Sequence, residues 1–106
     1  MILFDVTIEA KDDRRKEATG LLRRTMAGSQ AEEGCLIYRF TADLDDPRLF
    51  HLVELWESEA AFAGHATGAP FRNFLAELPL VGRVVRSVAR QGPLEHFDFK
   101  RPGRAQ

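Results

Sequence analysis

The sequence predicts an α+β fold, an antiparallel sheet with helices on one face, and three observations carry that reading. Period-two alternation of apolar and polar residues recurs at residues 2–8, 35–44, 48–57 and 84–90, with three-to-four spacing between the first and second runs and between the third and fourth. The resulting order is strand, helix, strand, strand, helix, strand, the split βαββαβ pattern of ferredoxin-like domains. The 106 residues, 44% apolar and 29% charged, suit one core and exclude disordered, collagen-like and coiled-coil chains.

In the first run Ile2, Phe4, Val6 and Ile8 share one face, and Asp5, Thr7 and Glu9 mostly take the other. The charged segment 11–18 leads into Ala18, Leu21, Leu22, Thr25 and Met26, one apolar stripe on a charged helix, with Asp12 or Asp13 as its expected cap and Gly28 or Ser29 as its expected end. Residues 35–44 read as a second strand, with Leu36, Tyr38 and Phe40 on one face and Ile37 and Arg39 on the other. Asp45, Asp46 and Pro47 supply a turn, and residues 48–57 pair back as a hairpin. Ser58 is the expected cap of a helix over 60–67 that clusters Phe62, His65 and Ala66 on one side. Gly68 and Pro70 interrupt it. Pro70 suits the first turn of a new helix with the stripe Phe71, Phe74, Leu75 and Leu78, ended by Pro79 and Gly82. Residues 84–90 form the fourth strand, with Arg86 and Arg90 on the face of Val84 and Val88, and 92–99 an extended arm or short fifth strand. One domain over 1–100 and a frayed tail over 101–106 complete the expected organisation.

Fifteen Lys and Arg against sixteen Asp and Glu give a net charge of −1, without the basic excess that a nucleic-acid partner requires. No apolar run approaches the roughly 18 residues of a membrane span, the chain starts without a charged leader, and the single Cys35 cannot close an intrachain disulfide, so a soluble cytoplasmic protein is expected. Cys35 itself reads as a small buried apolar side chain. His51, His65 and His96 fall on separate elements, and no glycine-rich phosphate loop follows a strand, so neither a metal site nor a nucleotide site is expected. The strands carry large apolar residues on both parities, Phe50 and Leu52 against Leu49, Val53 and Leu55, while helices can cover one face alone. A homodimer with two sheets packed face to face is therefore expected.

The stretch EGCLIYRF at 33–40, DDPRLFHLVELWESEAAFAGH at 45–65 and then Phe71 closely resembles the antibiotic biosynthesis monooxygenase family, including its quinol monooxygenases. Members typically read Glu-Gly-Cys, a tyrosine three residues on, a phenylalanine, then Glu-x-Trp, a small residue and a histidine. The likeness covers roughly residues 2–90, and the spacing from Glu54-x-Trp56 to His65 is its most specific part. It implies a dimeric α+β barrel and the oxidation of a small aromatic or polycyclic phenol or hydroquinone to a quinone by dioxygen, in an apolar pocket between sheet and helices. No cofactor is implied, because a deprotonated electron-rich phenol can itself reduce dioxygen. The protein then has to supply a base, donors for a developing oxyanion and a dry cavity.

By this resemblance His65 and Trp56 are the catalytic pair, the imidazole taking the phenolic proton and the indole stacking on the substrate, its N–H steadying an oxyanion. The plainer alternatives are a core tryptophan and a helix histidine bonded to a carbonyl or to Glu54. Glu54, a carboxylate in an apolar alternation, needs a partner such as His65, Arg39 or Arg86 if buried. Tyr38, Phe40, Phe62, Phe71 and Phe74 would wall an aromatic ligand, or simply fill the core. Arg72, Arg83, Arg86 and Arg90 could offer a cation, or ion pairs between protomers, and Asp5 would reach the cavity only if its parity faces the helices. The expected hollow lies beneath the helices, roofed by His65 and floored by Trp56. Three positions depart from polar residues of characterised branches: Leu52 stands where an asparagine occurs, Phe62 where a tyrosine occurs and Pro70 where a second histidine occurs. Asp5 and Leu75 stand where haem-degrading relatives carry an asparagine and a histidine, so haem cleavage is not expected. These departures sustain an alternative function, a non-catalytic dimeric module binding an aromatic or apolar metabolite on the same scaffold.

Overall fold

The computed structural model describes residues 1–98, and among them the elements run β1 (Ile2–Ala10), α1 (Arg15–Gln30), β2 (Cys35–Ala42), β3 (Leu49–Trp56), α2 (Glu59–Ala66), α3 (Ala69–Val81) and β4 (Gly82–Gln91). The strands form an antiparallel sheet in the order β2-β3-β1-β4, the ferredoxin-like α+β arrangement that the alternating periodicities predict. Ile2, Val6, Ile8 and Ala10 of β1 and Phe50, Leu52 and Trp56 of β3 turn to the helical side. There all but Ile2 join one core cluster with Ala18, Leu21 and Leu22 of α1 and Phe74, Leu78 and Val81 of α3. Burying each such large apolar side chain contributes roughly 1.5–3 kcal/mol, so this layer supplies most of the drive for folding. The expected tail over 101–106 lies outside the described residues, and 92–98 add no strand beyond an isolated bridge at Phe97.

Neither Asp12 nor Asp13 caps α1. Both fall in a turn closed by the Arg14 N–H on the Lys11 carbonyl, and Arg14 takes the cap position without a side-chain bond. Helix α1 also passes Gly28 and Ser29 to reach Gln30, because Gly28 serves close approach: a Cβ there would lie 2.9 Å from Cγ of Pro70 on α3. In β2 the register steps from Cys35 opposite Trp56 to Ile37 opposite Leu55, so Leu36 occupies a bulge and turns outward at 52% exposure, away from Tyr38. Helix α3 continues past Pro79 to Val81 although the proline has no N–H to offer the Leu75 carbonyl one turn back, and its Leu75 is exposed beside the buried Phe74 and Leu78. A register shift opposite Thr7 and Ile8 pairs Val84 with Ile8 and Arg86 with Thr7, which parts Val84 from the face of Arg86, Val88 and Arg90.

The second sheet face carries Asp5, Thr7, His51, Val53, Leu55, Ile37 and Val88 and, among the described residues, no helix. Arg86 pairs with Asp5 at 3.1 Å on this side, which removes Asp5 from the helical interior. His51 bonds Thr7 Oγ1 through Nδ1 and Asp43 Oδ2 through Nε2, at 3.2 and 2.7 Å. That bond, with the N–H groups of Asp45 and Asp46, holds the Asp43 carboxyl down to about 2 and pins the β2–β3 connection. No helix among the described residues is long and apolar enough to cross a membrane.

Candidate functional site

Strand parity builds the floor of the site. Tyr38 and Phe40 project from β2, and Glu54 and Trp56 from β3, all toward the helices, because positions two apart share a face. Ser58 caps α2 by accepting from the Ala61 N–H at 3.1 Å, and this sets the helix so that Phe62 and His65, three residues apart, both point down. Helix α3 adds Phe71 and Phe74. The rings form one continuous set. His65 lies 4.5 Å from Trp56 at an interplanar angle of 29°, 5.5 Å from Tyr38 and 5.2 Å from Phe71. Phe62 stacks on Phe4 at 4.7 Å, and Phe40 meets Tyr38 edge-on at 5.8 Å and leans on Phe74 at 6.4 Å.

At the centre His65 is 2% exposed and Trp56 0%. Nδ1 of His65 lies 2.7 Å from Glu32 Oε1, whereas Nε2 lies 3.7 Å from Glu54 Oε1, beyond hydrogen-bond reach. That Glu54 oxygen accepts the Trp56 Nε1–H at 3.0 Å. The indole N–H is therefore engaged by Glu54 and is not free for the oxyanion role expected of it. Burial raises the Glu54 carboxyl above its ordinary value, against the opposing pull of the Trp56 hydrogen bond and of His65. Burial, and then the nearby Glu54 charge, pushes the Tyr38 hydroxyl upward as well, so it stays protonated as a donor. Ser29, beside Tyr38, is fully buried, and its Oγ has no partner at normal hydrogen-bond geometry. Cys35 also titrates upward through burial and the charges of Glu32 and Glu54, as befits an inert thiol.

The expected hollow is filled. The rings close on one another until Trp56 has no accessible surface, although the imidazole does face inward as expected. Two clefts flank the cluster. One, of about 390 Å³, opens among Glu32, Glu33, Gly34, Glu57, Gly64 and His65; the other, of about 250 Å³, lies between α1 and β2 over Leu22, Met26, Phe40 and Phe50. Neither is lined by Trp56. Phe62, Phe71 and Phe40 are half-buried and form the margin of the cluster.

All eight residues expected at the site thus converge, while the candidate cations do not. Arg39 is exposed on the open face, Arg86 pairs with Asp5, Arg83 with Glu9 at 3.1 Å, Arg72 donates to the Thr67 carbonyl, and Arg90 is exposed. Among the described residues no group of three or more His, Cys, Asp or Glu side chains could hold a metal ion. Sequence reasoning missed Glu32. It sits in the loop between α1 and β2, where no periodicity marks a partner, and the only available signal was its place directly before the Glu33-Gly34-Cys35 segment.

Residues 1–77 match the family described as antibiotic biosynthesis monooxygenase. The Bacillus subtilis protein YcnE, provisionally named a monooxygenase, is 30% identical over 77 residues, 73% of this chain and 81% of its own. Among solved structures, a provisionally assigned antibiotic biosynthesis monooxygenase from Deinococcus radiodurans superposes with a TM-score of 0.83 at 21% identity, over 93% of this chain and 99% of that one. The Pseudomonas aeruginosa protein PA3566 gives a TM-score of 0.73 at 27% identity, over 84% and 88%.

Proposed function

The chain belongs to the antibiotic biosynthesis monooxygenase family, and from that premise we propose that it is a cofactor-independent monooxygenase oxidising a small aromatic or polycyclic phenol or hydroquinone to a quinone with dioxygen. The observation that carries this reading is the buried imidazole of His65, stacked on an indole with a carboxyl group beside each ring nitrogen. In this scheme His65 and Trp56 act on the substrate, Glu54 holds the indole, and Tyr38, Phe40, Phe62, Phe71 and Phe74 enclose the aromatic ring.

Nε2 of His65 takes the phenolic proton, and the phenolate passes one electron to dioxygen. The resulting radical and superoxide combine at a ring carbon, and the hydroperoxide loses water to leave a carbonyl. One oxygen atom enters the ring and the other leaves as water. The substrate supplies all four electrons, so a phenol gives a quinone and a hydroquinone a hydroxyquinone. The Tyr38 hydroxyl, on a ring 5.5 Å from the imidazole, stays protonated and serves as the donor to the oxyanion, and the ring cluster excludes bulk water. Entry requires Phe62 to swing away with α2, an eight-residue helix held between the Ser58 cap and Gly68.

Oxygen uptake with a panel of hydroquinones and anthrones tests the proposal. The protein accelerates uptake, and His65→Gln, which keeps hydrogen-bonding capacity but supplies no base, lowers it by about 100-fold or more. Uptake equal with and without protein contradicts it. The closed packing over Trp56 favours a second reading, a non-catalytic dimeric module that binds an aromatic or apolar metabolite. Tight quinol binding without turnover selects that reading. In either case the uncovered sheet face supports a homodimer with sheets packed face to face.

A further inference from the structure

We propose that Glu32 is a positioning residue for His65: it holds the imidazole as the Nδ1–H tautomer and leaves Nε2 as the free acceptor facing the ring cluster. Its catalytic consequence rests on the reading of His65 as the base.

Glu32 is fixed from both sides. Its N–H donates to the Ser29 carbonyl at 3.1 Å, and its own carbonyl accepts from the Cys35 N–H at 3.2 Å, so the α1–β2 loop delivers the carboxylate to one place. Oε1 then lies 2.7 Å from Nδ1 of His65. The other oxygen rests against Gly68, where a Cβ would stand 2.6 Å from Oε2; this glycine is also the N-cap of α3, whose helix dipole favours a negative charge there. A carboxylate accepts and does not donate, so the 2.7 Å contact places the imidazole proton on Nδ1. Among the described residues the nearest acid to Nε2, Glu54 Oε1, is 3.7 Å away, beyond hydrogen-bond reach, and accepts instead from Trp56.

The same contact serves the charged state. When Nε2 takes a proton, the positive ring keeps its Nδ1–H on a carboxylate, the arrangement by which a buried acid supports a histidine base. The pair also spans the boundary with solvent: the His65 side chain is 1% exposed and that of Glu32 20%, in the cleft shared with Glu33 and Glu57. Glu32 thereby gives the buried ring its connection to water. The other titratable groups facing the imidazole are Glu54 on β3 and Tyr38 on β2.

Nitrogen NMR of the imidazoles tests this without any substrate, at about pH 8 where a histidine of ordinary basicity is neutral. The His65 signals are assigned by their loss in His65→Gln. The wild-type protein shows His65 protonated on Nδ1 and bare on Nε2. Both Glu32→Ala and Gly68→Ala, the second displacing the carboxylate without changing a charge, convert this to the other tautomer or to a mixture. Gly68→Ala also answers the case in which Glu32→Ala does not fold. A proton on Nε2 in the wild type, a ring protonated on both nitrogens, or an unchanged tautomer in the variants overturns the proposal. With a phenol that the wild type oxidises, the variants lower kcat by about tenfold or more with KM within about twofold, and an unchanged kcat overturns the positioning role. Absence of turnover with every phenol counts against the oxygenase reading alone, and the tautomer measurement still decides the role of Glu32.

Discussion

At the scale of single residues, the site is an arrangement of groups whose ionisation is set by burial. Glu54 carries a testable consequence. Its folded pKa lies above the ordinary 4.5, so its protonated form suits the interior, and its contribution to stability is complete below that value and lost as pH rises through the raised one. Glu54→Gln stays neutral and can still accept from the Trp56 indole. Its urea midpoint therefore gains on that of the wild type as pH climbs from 4.5, and a gap that stays constant with pH contradicts this reading of Glu54. Much at this scale was legible in the sequence: parity placed Glu54 with Trp56, and helical spacing placed His65 with Phe62. Glu32 was not, because a loop acid acquires its meaning only when folding brings a partner 33 positions away to within 2.7 Å.

At the scale of elements, periodicity located every strand and helix, and the errors fall where a single residue breaks a period. Leu36 shows this in β2: strict alternation assigns it to the face of Tyr38, whereas a bulge inserts it as an extra residue and hands the inner position to Cys35. Gly28 and Pro79 read as terminators yet sit inside helices, one allowing close packing against Pro70 and the other giving up only the single bond to the Leu75 carbonyl. Gly34 is a glycine whose backbone requires its type. At φ +78° it leads into β2, and a Cβ there would meet that of Ala61 on α2 at 2.4 Å. Gly34→Ala combines left-handed strain with that collision, so it destabilises the fold by roughly 2 kcal/mol or more and loosens α2 over the site. Urea unfolding measures the cost; an unchanged midpoint would show that α2 is not seated on this turn. The filled interior was beyond sequence reasoning altogether, since spacing assigns rings to a face without saying how they interlock.

At the scale of the whole molecule, one sheet face is covered by three helices and the other, among the described residues, by none. Ile37, Val53 and Val88 are each more than 40% exposed on that second face, around the His51 and Asp5 networks. The proposed face-to-face pairing of two such sheets would account for strands that are apolar on both parities, a feature the sequence displayed in Leu49, Val53 and Leu55. Val53→Lys, near the middle of β3, shifts the protein from dimer to folded monomer in sedimentation. A wild-type protein that sediments as a monomer at micromolar concentration argues against the pairing. The chemistry proposed for this fold is that an imidazole buried on an indole lets a phenol reduce dioxygen unaided. Turnover of a hydroquinone or an anthrone under isotopically labelled dioxygen, with no cofactor added, addresses it most directly: the account predicts one labelled oxygen in each quinone formed and the other in water, with formation dependent on His65, whereas quinone carrying no label, or appearing equally without the protein, would contradict it.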